Sequence, residues 1–412
     1  MCNINNDYLT INDINQQILG LESHLQALDI LFMKQESLVK LTEVRDQSNI
    51  SNAVINAIVG DVYPNNVGME GIGDVFITIG NAIKYVISKV FGFIKGIFKK
   101  ILGLGKSNVD TAERVMGKIR SVETVEDFAE IEDTTGALHY MLADGSNELT
   151  IGVLFNYSIR YGTILRFVSD VVNGIANNLK YVDGIVRSFN KILNKFTENG
   201  DFDKFKTSLG YLVDELEYAL VDMREALHIR LTEGKFTSLS GVSFTTEEVG
   251  KYIHTDRLLL MTGKRIVAVS EADGPSNRVY DFIVKEIEGD KKRGTVKITK
   301  LNNFNNLDLD YFTEMNEGFD DIYKKITKIE RQATNLSKEI TDIGKSVKSM
   351  KLDIMDTTLL NSFKSNVNTI SKDSVRLTGN LAKIMAAAAT DSKYWIDLVD
   401  LLTIKVGSKQ QK

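Results

Sequence analysis

The sequence predicts a mainly α protein: an elongated antiparallel helical bundle or coiled coil with a small inserted antiparallel β-module. Three observations carry this. Only two prolines, Pro64 and Pro275, occur in 412 residues, and an interior proline costs a helix about 3 kcal/mol, so long uninterrupted helices are permitted. Apolar residues recur at steps of three and four along most of the chain, most regularly at Phe312, Met315, Phe319, Ile322, Ile326, Ile329, Ala333, Leu336, Ile340, Ile343, Val347 and Met350, which is a coiled-coil seam. Between Thr232 and Asn306 the period changes to short runs rich in β-branched and aromatic residues, such as LLLMTGKRIVAV, RVYDFIVKEI and GTVKITKL, which read as strands.

Residues 1–70 form an acidic helical segment. Ile14, Ile18, Leu21, Leu25, Leu28, Leu31 and Phe32 make a stripe within a helix from Ile11 to about Val44, and Asn49–Asn66 reads as a linker ending in a Pro-Asn-Asn turn. Nine acids stand against three basic residues here, a net charge of −6, while the whole chain carries −5. All of the net acidity therefore precedes residue 71.

The stretch 71–107, GIGDVFITIGNAIKYVISKVFGFIKGIFKKILGLGKS, is the opposite. Six lysines against Asp74 give it a net charge of +5, and its apolar residues keep helical spacing. Two arrangements suit such a cationic amphipathic helix: lying on an anionic membrane surface, or packing in a bundle with its lysines facing water. Lysines from Lys84 onward argue against a span, which needs about 20 largely uncharged residues. The residues for membrane or DNA contact are Phe76, Lys84, Lys89, Phe91, Lys95, Phe98, Lys99 and Lys100. Gly103, Gly105 and Ser107 are expected to end the helix.

A helical body is expected over 108–231, with an acidic stretch at Glu123–Asp133, a helix from Glu148 to Glu198, and a heptad seam at Phe202, Phe205, Leu209, Leu212, Leu216, Ala219, Met223 and Ala226. The β-module follows over 232–306, with GDKKRG at Gly289–Gly294 as a hairpin loop. Residues 307–412 return to helix: the long seam, with Phe319, Ile322, Ile326, Ile329, Leu336, Ile340 and Ile343 at its centre, then helices at Leu359–Ala389 and Ser392–Val406. The two seams would close an antiparallel bundle with the β-module at its tip.

The residues offer no catalytic constellation. His24, His139, His228 and His254 lie far apart, and no HxxxH, P-loop, GxGxxG after a strand or GxSxG occurs. The single cysteine, Cys2, excludes an internal disulfide or thiolate metal site. The expectation is a protein without catalytic activity, cofactor or metal. The first residues lack the basic and apolar regions of a secretory signal, which suggests synthesis in a reducing cytosol. A net charge of −5 and a pI near 5.6 argue against a dedicated nucleic-acid binder, whose domain is typically strongly basic.

Gly68-Met69-Glu70, followed by Gly71, sits where the two charge regimes meet. Small residue, any residue, glutamate resembles the cleavage pattern of prohead maturation proteases. The same pattern recurs at Glu22, Glu123, Glu148 and Glu339, but context favours Glu70, which follows a Pro-Asn-Asn turn and lies between segments of opposite charge, where backbone can enter a protease; Glu22 would be a further cut within the propeptide, and Glu339, inside the seam, is expected to be protected. With MEGIGDVFITIGNAIKYVISKVFGFIKGIFKKI after it, then the helical body, β-module and further helices, the chain resembles the internal head proteins of large tailed bacteriophages (myoviruses). The resemblance implies a virion protein made in the host cytoplasm, packaged inside the capsid, cut after Glu70, and in some cases ejected with the DNA. The partners implied are the prohead protease, other capsid-interior proteins, genomic DNA without sequence preference, an anionic membrane, and further copies of the chain. The alternatives are an α-helical pore-forming toxin, whose parts also include long helices and a β-tongue, and a purely structural coiled-coil scaffold.

Overall fold

The computed structural model describes residues 2–44, 72–120, 124–133, 148–226, 230–232, 235–237, 243–245, 247–249, 252–270, 279–286, 294–302, 304–347 and 354–410. Among the described residues six helices carry the fold: α1 (Cys2–Val44), α2 (Ile72–Ile119), α3 (Ile151–Asn199), α4 (Phe202–Ala226), α5 (Tyr311–Val347) and α6 (Ile354–Gln410). At about 1.5 Å per residue, the 57 residues of α6 run roughly 85 Å. Neither proline lies in a described helix. The protein is mainly α with a small β-module, as the apolar spacing predicts.

Contacts along the helices fix their directions. Gly20 and Gln17 of α1 meet Phe93 and Gly96 of α2, so the pair runs antiparallel. Phe98 and Lys95 of α2 meet Tyr323 and Glu330 of α5, again antiparallel. Leu154 and Phe189 of α3 meet Trp395 and Phe363 of α6 in the same sense, and Gly200, with φ 65°, turns the chain from α3 into an antiparallel α4. Helices α1, α3 and α5 therefore point one way and α2, α4 and α6 the other.

Helix α6 is the axis, packing on the other five helices. Its Met385-Ala386-Ala387-Ala388-Ala389 run is small-sided, which lets neighbours approach from several directions. Phe319, Ile322, Ile326, Ile329 and Leu336 of the long seam are buried; the side chains of Ile340 and Ile343 lie outside the described set. The two seams do not close on each other, however. Helix α4 packs on α3 and α6, and α5 on α2, α3 and α6.

Two predicted boundaries move. Helix α2 continues through Gly103 and Gly105 to Ile119. At Gly105 a side chain would collide with Asn316 of α5, so this glycine permits a close helix contact and does not end the helix. The two C-terminal helices are one, unbroken across Ala389–Ser392.

The strands among the described residues are β1 (Thr124–Asp133), β2 (Glu148–Thr150), β3 (Arg230–Thr232), β4 (Lys235–Thr237), β5 (Ser243–Thr245), β6 (Glu247–Val249), β7 (Tyr252–Leu259), β8 (Lys264–Ser270), β9 (Val279–Glu286) and β10 (Gly294–Asn302). They form sheets in the orders β1-β10-β2, β3-β4-β5 and β6-β7-β8-β9. The acidic stretch expected in the helical body is strand β1, whose Glu130 and Glu126 stand opposite Lys297 and Lys300 of β10. Strands β9 and β10 belong to different sheets, so Gly289–Gly294 does not close a hairpin between them. The module also docks on the flank of the bundle, where β7 meets α3 and β9 meets α6; Phe282 packs edge-on to Phe167, ring centroids 4.8 Å apart.

Candidate functional site

The cationic helix is a core element on one side and a basic edge on the other. Ile83, Ile87, Val90, Phe91, Ile94, Ile97, Phe98, Ile101 and Leu104 are buried against α1, α5 and α6. Of the residues predicted to touch membrane or DNA, Phe91 and Phe98 are thus committed to the protein interior in this fold, because the same apolar stripe that would enter lipid satisfies the bundle. The side chain of Phe76 and the cleavage residues Gly68, Met69, Glu70 and Gly71 lie outside the described set.

The lysines divide. Lys84, Lys89, Lys99 and Lys106 are exposed along one edge, and Lys89 stands 5.2 Å from the ring centre of the exposed Tyr85. Lys95 is tied to Glu330 of α5 at 2.5 Å, and Lys100 to Asp13 of α1 at 2.7 Å. From Lys84 to Lys106 the edge runs about 33 Å at 1.5 Å per residue, close to one turn of duplex DNA.

Helix α1 covers the groove beside this edge. Ile11, Ile14, Leu21, Leu25, Leu28, Leu31 and Phe32 are each 8% exposed or less, and burying one such side chain is worth about 1.5–3 kcal/mol. The ion pairs Asp13–Lys100 and Glu22–Lys383 (3.2 Å) are partly exposed and worth at most about 1 kcal/mol each. Apolar area holds α1 down, and the charges help set its register. The small-x-glutamate match at Glu22 is withheld from a protease here, since Leu21 is fully buried and Gly20 abuts Phe93. The match ending at Glu339 lies within α5.

A second polar centre escapes the sequence reading. Asp391, fully buried on α6, accepts hydrogen bonds from the Tyr161 hydroxyl (2.7 Å) and the Met261 backbone N–H (2.8 Å) on Oδ2, and from the Thr262 N–H (2.8 Å) on Oδ1. Met261 and Thr262 lie in the β7–β8 turn. That turn closes through Leu260 N–H to Lys264 O (2.7 Å) and Gly263 N–H to Leu260 O (3.1 Å), with Gly263 at φ 75°. Burial pushes the Asp391 carboxyl above its ordinary value despite its three donors. Burial, then the nearby Asp391 charge, pushes the Tyr161 and Tyr311 hydroxyls well up. Around the node, Trp395 Nε1 donates to Leu154 O at 3.2 Å and Asn108 Nδ2 to Ser392 Oγ at 3.1 Å. The available signal was the polar run Thr390-Asp391-Ser392-Lys393 inside an apolar helical pattern, with neither glycine nor proline to make it a turn.

Two recesses flank the bundle. One of about 580 Å³ lies between α3 and α5, lined by Phe155, Ile159, Leu165, Met315 and Ile322 with Arg166 and Asp170 at its edge. Another of about 590 Å³ lies between α1, α6 and the β8–β9 pair, lined by Ile14, Ile18, Phe282, Lys264 and Lys383. Among the described residues no group of three or more His, Cys, Asp or Glu converges on a metal position, and no helix is long and apolar enough to cross a membrane. Compared with protein families, curated proteins and solved structures, the chain matches none.

Proposed function

We propose that this chain is an internal virion protein of a large tailed bacteriophage, packaged in the capsid without catalytic activity and cut after Glu70 by the prohead protease. The observation that carries the reading is the pairing across the cut. The acidic helix before Glu70 lies antiparallel on the cationic helix after it, with Asp13 on Lys100. A precursor that tempers a basic surface with its own leader has this arrangement, because the leader's negative charge lowers the potential along the neighbouring lysine edge.

The exposed surface of α2 favours phosphate over lipid. Its phenylalanines at 91 and 98 face inward, and its outward edge is lysine with an aromatic at Tyr85. DNA in the capsid is then the natural contact, made without base readout because lysines on phosphate carry no sequence information.

The first experiment is the N-terminus of the protein in purified particles, by intact mass and terminal peptide mapping. A start at Gly71 is expected; a start at Met1 or Cys2 in particles would remove the processing reading, and absence from particles would remove the virion reading. The DNA contact has its own test. Duplex binding by the mature form should weaken with salt at a slope of about −3.6 in log K against log salt, about −0.9 for each of four lysines. Replacement of Lys99 by alanine should reduce that slope by about 0.9. Tighter, salt-insensitive binding to vesicles with phosphatidylglycerol would favour the membrane instead.

A further inference from the structure

Helix α1 is seated in the groove between α2 and α6 by interlocking notches as well as by apolar area. Gly20 of α1 admits the ring of Phe93; a Cβ there would lie 2.7 Å from Phe93 Cζ. Gly96 of α2 admits Gln17, whose Oε1 would sit 2.7 Å from an added Cβ. Gly379 of α6 admits Leu25 and Leu21, with Leu25 Cδ1 at 3.0 Å. At Gly20 the Phe93 ring lies closer than a side chain there tolerates, so this glycine selects the residue opposite it, while at Gly96 and Gly379 the flexible ends of Gln17 and Leu25 would have to give way. With Asp13–Lys100 and Glu22–Lys383 alongside, these close approaches favour one register. His24 adds a ring contact on Phe93 at 4.9 Å, its Nδ1 paired with Gly20 O at 2.8 Å.

We propose that the α2–α6 groove recognises α1 as a helix in its own right, so that cutting after Glu70 nicks the protein and leaves α1 bound as a separate chain. The proposal rests on the processing reading for its biological meaning, but its physics does not depend on where nature cuts. The contacts named above that seat α1 are made by its own residues 13–25 with α2 and α6. On this proposal a covalent link adds effective concentration to a seating that α1 already makes. The partner this groove fits is therefore an acidic amphipathic helix with a glycine opposite Phe93 and leucines opposite Gly379. Lys100 and Lys383 stay paired with Asp13 and Glu22 after the first cut, and Glu22 becomes cleavable only if α1 unseats.

The test uses the full chain with a site-specific protease sequence replacing residues 68–71, folded first and cut afterwards. On size exclusion at micromolar concentration, the fragment containing α1 should co-elute with the remainder at the mass of the uncut protein. Separation of the fragment, or precipitation of the remainder on cutting, would overturn the proposal. A Gly20→Leu version, cut in the same way, should release the fragment about 10- to 100-fold more readily, since overpacking against the Phe93 ring costs about 1–3 kcal/mol; unchanged retention would show that this notch does not select. Should Gly20→Leu fail to fold, Lys383→Glu provides the second arm, with faster release expected at low salt. The two readings fail separately. Particle protein starting at Met1 removes the processing reading and leaves the groove standing, whereas particle protein starting at Gly71 with no 2–44 peptides present removes only this proposal.

Discussion

Helix α1 and the β7–β8 turn both dock on α6, by opposite physics. The turn is held by a buried carboxylate that accepts from Met261, Thr262 and Tyr161. All three donors converge on one buried acceptor, so losing that acceptor strands them together. Helix α1 is held by seven apolar side chains with two exposed ion pairs at the margin. Losing one contact there loses one share. A polar hub welds the β-module to the bundle, whereas a greasy stripe with charged margins leaves α1 separable.

The largest expected effect tests the weld. Asp391→Ala leaves two backbone N–H groups and the Tyr161 hydroxyl buried without an acceptor, and should cost about 3–5 kcal/mol in urea unfolding. A loss below about 1 kcal/mol would mean that water enters and the hub is not dry. The pH dependence follows from sign. The folded carboxyl sits above its ordinary 3.8, so the folded state holds that proton more tightly than the unfolded state. Its contribution is full below about pH 3.8 and is lost as pH rises through the raised folded value. The stability difference between wild type and Asp391→Asn should therefore shift against wild type from pH 4 toward neutrality. A shift in its favour would mean the three donors outweigh burial.

Next comes a single share of the stripe. Leu21 is fully buried beside Gly379, and Leu21→Ala should cost about 2–5 kcal/mol. The comparison is sharpened by where the cost appears. Hydrogen exchange should quicken across α1 while the centre of α6 keeps its protection, because α1 opens as its own unit. Uniform loss of protection through α6 would make α1 part of a single cooperative core.

Much of this contrast was legible and part was not, for physical reasons. The period of apolar residues found α1, α2, α3, α4 and α5 because each buries one stripe against neighbours. It split α6 in two because that helix is buried on nearly every side, and Asp391 reads as a boundary until its donors are known. Those donors come from a turn 129 and 130 residues earlier in the chain, beyond what local pattern carries. The acidic strand β1 was missed likewise, since its glutamates gain meaning only opposite Lys297 and Lys300. For the candidate site, the basic edge of α2 was readable from its lysines. Which of two buried or exposed roles its phenylalanines took was not, because lipid and protein interior select the same apolar face.

The smallest expected effect lies at the margin of α1, and it separates register from affinity. Asp13 and Lys100 are 56% and 42% exposed, so water and salt screen them, and a double-mutant cycle of Asp13→Ala with Lys100→Ala should return about 0.2–1 kcal/mol at low salt. With a Debye length near 3 Å, 1 M salt should remove most of it. The apolar stripe should be unmoved or slightly stronger under the same conditions. A coupling above about 2 kcal/mol that survives 1 M salt would instead make the charges a principal fastening of α1. High salt, and not displacement of the stripe, would then be the wrong way to unseat it.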